Sequence, residues 1–154
     1  MRLLTAGLLV SLTAGCATKV QLETFLNEIL NPIWQGEITD ACVSALAGSA
    51  GFFTYEAGVA GQVAKPDNSN SEGHWHRARS LAERVETWDV AKRGAGAAMT
   101  VLDNRDCIRN LHPEADRLLW GDAPGIYYVS INREVIVVLY DGAERLGMIL
   151  VQAR

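Results

Sequence analysis

Long apolar runs are missing from this 154-residue chain. No stretch approaches the ~20 consecutive apolar residues that a spanning helix needs, which excludes a polytopic membrane protein. Blocks of like charge are missing too: the formal charge of -4 is spread along the sequence, so there is no basic footprint for tracking a phosphate backbone and nucleic acid is not an expected partner. Only 4 prolines and 14 glycines occur, without a period, which excludes collagen-like and low-complexity chains. Histidine and cysteine number 3 each, so donors for metal or thiol chemistry are few. What is present is a body with 49% hydrophobic and 21% charged residues, enough for one compact domain at about 150 residues.

The N-terminus has a layout of its own. Met1-Arg2 supplies a positive start, residues 3–12 are apolar and uncharged, and the small residues Thr13-Ala14-Gly15 precede Cys16. That is the three-part plan of a secretory signal. An apolar run of about ten residues spans only about 15 Å as a helix, half the hydrocarbon thickness of a bilayer. The run Leu12-Thr13-Ala14-Gly15-Cys16 resembles the lipobox of bacterial lipoproteins, with Leu12 one position early and Thr13 where the aliphatic residue usually stands. The resemblance implies cleavage before Cys16, a diacylglycerol on its thiol and acylation of its new amino group. Several acyl chains together give stable anchoring. By the sorting habit of that family, Ala17 after the cysteine implies the outer membrane. Gly15 and Ala17 equally satisfy an ordinary small-x-small cleavage pattern, which would release a soluble periplasmic protein, and an uncleaved leader is the third reading. The segment removed carries Arg2 and no carboxylate, so the remaining body stays acidic. The resemblance covers only the leader, which divides the chain into a signal peptide (1–15), a lipidated tether (16–20) and a single domain (21–154).

With Cys16 consumed by lipid, Cys42 and Cys107 remain, and an even pair in an oxidising compartment is expected to form a disulfide. The 65-residue separation would restrict the unfolded chain by roughly 4 kcal/mol. Two buried free thiols acting as small apolar side chains is the alternative. No Cys-x-x-Cys pair occurs.

Periodicity predicts the body. Leu22, Phe25, Leu26, Ile29 and Leu30 recur at helical spacing over 21–31, ended by Pro32, with a turn at Trp34 and Gly36. Thr39 or Asp40 would cap a second, tightly packed helix across the uncharged stretch 41–55. Residues 65–73 concentrate turn formers and read as a surface loop. Ser71 would cap a long helix with the stripe Trp75, Ala78, Ala82, Val85 and Trp88, supported by Asp89 and Arg93 at i, i+4 and ended by Gly94 and Gly96. Residues 97–102 are ambiguous between strand and helix. Pro113 would open a short helix through Trp120, with Gly121 just past its end. Runs at 126–131, 135–140 and 146–152, rich in Val, Ile, Leu and Tyr, predict three antiparallel strands, turning at Asn132-Arg133 and residues 141–144. The middle strand is apolar on both pleat faces and needs cover on each side. The fold expected is therefore α+β: N-terminal helices packed on a C-terminal three-stranded antiparallel meander.

Chemistry is sparse. No Gly-x-Ser-x-Gly elbow, phosphate loop, dinucleotide fingerprint, His-Glu-x-x-His helix or Asp-rich calcium loop occurs, so neither catalytic residues nor a cofactor is expected. His74 and His76 would point about 200° apart on a helix, and zinc would need His112 or Glu72 besides; no metal site is expected. Trp75 and Trp88 belong to the buried stripe. Trp34, Trp120, Tyr127 and Tyr128 flank turns or begin a strand, where an aromatic packs inside or serves a partner surface. The reading that follows is a non-enzymatic lipoprotein on the periplasmic face of the outer membrane, binding an envelope or secretion component. Two others stay open: a small periplasmic hydrolase assembled from His112, Asp103 and Asp116, and an immunity or inhibitor lipoprotein plugging a toxic enzyme with the loop 66–71.

Overall fold

The computed structural model describes residues 6–30, 36–44, 48–56, 58–63, 73–92, 96–130, 135–142 and 144–152, with side chains for all of these but 6–17 and 90–92. In chain order they form α1 (Ala6–Leu30), β1 (Ile38–Val43), β2 (Ser49–Thr54), α2 (Val59–Val63), β3 (Trp75–Ala78), α3 (Leu81–Lys92), α4 (Gly96–Leu111), α5 (Ala115–Trp120), β4 (Gly125–Ser130), β5 (Val135–Tyr140) and β6 (Leu146–Val151). The strands make one antiparallel sheet in the order β1-β2-β6-β5-β4-β3. No described helix is long and apolar enough to cross a membrane.

This corrects the expected architecture. The sheet has six strands rather than three, and the N-terminal half contributes three of them. The stretch expected to be a core helix at 41–55 is the hairpin-like pair β1 and β2, and Thr39 and Asp40 lie in β1 rather than at a helix cap. Trp75 and Ala78 belong to β3, so the long amphipathic helix begins six residues later than its hydrophobic stripe suggests. Its real start is a reciprocal cap. The Ser80 hydroxyl accepts the Glu83 amide at 3.1 Å, and the Glu83 carboxylate accepts the Arg79 amide at 2.8 Å. Residues 97–102 are helical, and Asp103 to Cys107 continue the same helix. Residues 113–114 form a turn ahead of α5. Ala17 to Val20, the expected tether, lie within α1. Pro32, Trp34, Arg93, Gly94, the Asn132-Arg133 turn and nearly all of the polar loop at 65–73, including the 66–71 segment, lie outside the described residues.

Strand alternation sends two sets of side chains to opposite faces of the sheet. On one face Phe52, Tyr127, Val129, Ile136, Val138, Tyr140, Met148 and Leu150 pack under α3, α4 and α5, where Leu81, Trp88, Val101, Ile108, Leu118 and Leu119 close the layer. On the other, Phe53, Ile126, Val135, Val137, Leu139 and Ile149 meet Leu22, Leu26 and Leu30 of α1 and Val59 of α2. Every residue of β5 is buried for this reason. Thr18, Leu22, Leu26 and Leu30 repeat at four-residue intervals and form the buried ridge of α1. Each leucine contributes about 1.5–3 kcal/mol. The helix lies so close to Gly51 that a Cβ there would sit 3.0 Å from the Leu22 side chain and 3.1 Å from Ile38.

The outer side of β1 is fastened by α1. Lys19 Nζ donates to the Thr39 carbonyl at 2.9 Å, and the Ile38 amide donates to the Glu23 carboxylate at 3.0 Å. Across the sheet, the fully buried Asn104 of α4 donates through Nδ2 to the Thr100 carbonyl (2.9 Å) and to that of Val151 (3.2 Å), tying α4 to β6.

Gly147 pairs with Phe53, whose ring occupies the place of a missing side chain: a Cβ at Gly147 would overlap the ring edge. Gly147→Ala should therefore cost about 1–3 kcal/mol in urea unfolding, because the fully buried ring has nowhere to go. A companion Phe53→Leu change should return part of the loss. A Gly147→Ala midpoint equal to that of the parent would contradict this packing.

Candidate functional site

Cys16 lies in α1. Cys42 of edge strand β1 and Cys107 of α4 stand at disulfide distance, their Cα atoms 5.8 Å apart, within the range a bridge requires. The hydrolase constellation does not converge. Asp103 accepts Gln152 Nε2 at 2.8 Å, Asp116 accepts Arg109 Nε at 2.8 Å, and the His112 ring lies 4.8 Å from Phe52 while its Nδ1 accepts the Glu114 amide at 3.2 Å. Asp103 and His112 are nine positions apart along α4 and its last turn, roughly 13 Å of rise. His76 is buried on β3, four strand spacings (about 19 Å) from the β2 position against which His112 packs. Among the described residues no three His, Cys, Asp or Glu side chains come together as a metal site would need.

Two concavities stand out among the described residues. The first, about 180 Å³, opens where α5 meets the β5–β6 turn, lined by His112, Glu114, Arg117, Asp141, Glu144 and Arg145. Its charges are largely spent on one another and on their neighbours. Arg117 pairs with Glu114 at 2.5 Å, and Asp141 with Arg77 at 3.1 Å. The nearby hydroxyls of Tyr140 and Tyr127 donate to the carbonyls of Leu118 (3.1 Å) and Ala123 (2.5 Å), and burial raises both phenols above their ordinary value. Such hydroxyls stay protonated and bonded. Arg145 takes a left-handed φ of 48°, closing the turn that feeds β6.

The second concavity, about 340 Å³, is an apolar groove between α3, α4 and α5. Val85, Val101 and Leu119 form its floor, and Leu102 and Trp120 its sides. Leu102 is 43% and Trp120 45% exposed, and Met99 on the same helix as Leu102 is also exposed. These large apolar side chains and the apolar hollow beside them form one contiguous patch, the arrangement that interaction sites use. The charged residues lining the groove, among those described, are Glu86 and Asp89, one turn apart on α3. Asp89 is half-buried. Its Oδ2 accepts the Ala98 amide at 3.2 Å in the first turn of α4, while its Oδ1 is buried without a hydrogen-bond partner among the described residues. Burial raises its pKa above the ordinary carboxylate value, opposed by the amides of Ala98 and Ala97.

The sequence pointed to Trp120 as an aromatic beside a turn, one of four residues open to either a core or a surface role. Of those, Tyr127 is fully buried, Tyr128 partly buried, and Trp120 is at the surface. Asp89 and Leu102 carried no separate signal, because both belong to helices whose mutual packing is not written in either one. Comparison of the chain with family models, with curated proteins and with solved structures found no match.

Proposed function

We propose that this chain is a lipoprotein held on the periplasmic face of the outer membrane, acting without catalysis as a binding or accessory module for an envelope or secretion component. The leader ending in Cys16 carries the reading of place. The described buried residues of α1, Thr18, Leu22, Leu26 and Leu30, all follow Cys16, so cutting before Cys16 removes none of them. The binding role rests on the groove of α3, α4 and α5, whose apolar floor, exposed Trp120 and acidic lining suit a segment of another protein. The groove and α1 lie on opposite faces of the sheet, so anchor and partner do not compete for one surface.

Palmitate labelling in cells tests the anchor. Cys16→Ala should abolish the label and release the protein from the outer-membrane fraction; a label that persists would refute the lipid assignment. A photoreactive residue at position 120 tests the binding role and should trap a specific envelope protein. Trapping of none would remove it.

A further inference from the structure

The apolar groove contains more chemical detail than a contact patch needs. Its volume, about 340 Å³, sits at the small end of ligand cavities, which run from about 300 to 1,000 Å³. It has room for a few side chains and not for a large cofactor. The floor supplied by Val85, Val101 and Leu119 makes no hydrogen-bonding demand, so the part of an occupant that enters must be apolar. The exposed indole of Trp120 stands beside this floor, the kind of side chain that anchors protein contacts.

Among the described residues, Glu86 and Asp89 are the ionisable groups lining the groove, and both are acidic. Glu86 is exposed, whereas Asp89 has one oxygen committed to the Ala98 amide and the other buried with no hydrogen-bond partner among the described residues. A buried carboxylate oxygen without a partner leaves its desolvation uncompensated. A cation arriving in the groove would compensate it, and the groove would in turn shield that pair from water, strengthening the attraction. An apolar floor with an acidic wall matches a lysine or arginine whose stem lies on hydrocarbon while its head meets the carboxylate.

We propose that the groove receives a short amphipathic helix of a partner protein, its apolar side chains on Val85, Val101 and Leu119 and one Lys or Arg against Asp89. The inference rests on the accessory-binding reading above and gives that partner a chemistry. Helix-in-groove docking uses apolar anchors at i, i+3, i+4 and i+7, which leaves an adjacent position for the basic residue.

The test uses the full lipidated chain in phosphatidylcholine vesicles and three labelled helical peptides. They share one leucine face and carry Lys, Gln or Glu on the polar face; binding is read by anisotropy after subtracting protein-free vesicles. The Lys peptide should bind about ten-fold more tightly than the Gln peptide, and the Glu peptide least tightly. Asp89→Asn, which keeps an acceptor for the Ala98 amide, should bring the Lys peptide to the Gln level and leave the Gln peptide unchanged. Glu86→Gln, at an exposed position, should leave the Lys preference standing at about ten-fold. Leu102→Ser should weaken all three peptides. Should Asp89→Asn fail to fold, added salt supplies the same distinction, because it should weaken the Lys peptide alone. Equal affinity for the Lys and Gln peptides, a preference that survives Asp89→Asn, or no binding by any of them would overturn the proposal. So would self-crosslinking through position 102 without peptide, which would make a second copy the occupant. A partner trapped from position 120 in cells, together with no Lys preference, would leave the accessory reading standing and dismiss this one.

Discussion

Trp88→Ala should cost about 3–5 kcal/mol and lower the melting temperature by roughly 10–20 °C, the largest loss expected from any single side chain here. The indole is fully buried at the centre of the layer between α3 and the sheet, so its removal leaves a void that neighbouring helices cannot fill without breaking their own contacts. A second effect adds to the void. The Arg84 guanidinium lies 5.3 Å from the centre of this ring, is only 3% exposed, and presents Nε and Nη2 to no hydrogen-bond partner. Burial lowers its pKa. The ring face is therefore a principal compensation for a cation held out of water, and stripping it away leaves the charge bare. Arg84→Met should be far milder than Trp88→Ala, because the thioether keeps the packing of the stem and removes the buried charge. Urea unfolding of both single variants and the double variant measures the coupling, expected at about 0.5–2 kcal/mol. A Trp88→Ala protein within 1 kcal/mol of the parent would show that the layer is packed otherwise.

Removing the cysteine pair is the second large change. Cys42→Ala with Cys107→Ala should cost roughly 4 kcal/mol, since the loop closed by a sequence separation of 65 then regains its freedom in the unfolded chain. The position adds to the effect: Cys42 is on edge strand β1, whereas Cys107 is on α4, over the covered face of the sheet. A bridge between them pins an outer strand to the layer above it. The parent should unfold at lower urea with dithiothreitol present, and the double variant should be indifferent to the reductant. A parent curve unmoved by reduction would rule out a stabilising bond.

The C-terminal strands were the most legible part of the fold. Val135 to Tyr140 cannot be an exposed strand, and its six apolar residues announce cover on both sides. Residues 41–55 misled for a physical reason. Their Ala, Gly and Ser suit close helix packing as well as they suit a strand squeezed between two layers, and here the squeeze decides. Gly51 admits α1, and Phe52 and Phe53 fill the space on either face. Trp75 and Trp88 misled by coincidence, falling at helical spacing while serving opposite faces of the sheet. The Ser80 and Glu83 pair was the corrective signal, since it marks a helix beginning after Ala78. The groove had no local signal at all. Asp89 looks like one more charge on a solvated helix face until α4 and α5 are laid beside it.

The terminal strand of an open sheet offers its row of backbone donors and acceptors to any extended chain that drifts past. Here the amide of Ile38 and the carbonyl of Thr39 are already engaged by Glu23 and Lys19 reaching across from α1. The same helix that covers the sheet thus acts as a guard along its rim, and a variant lacking those two side chains should be the one that polymerises.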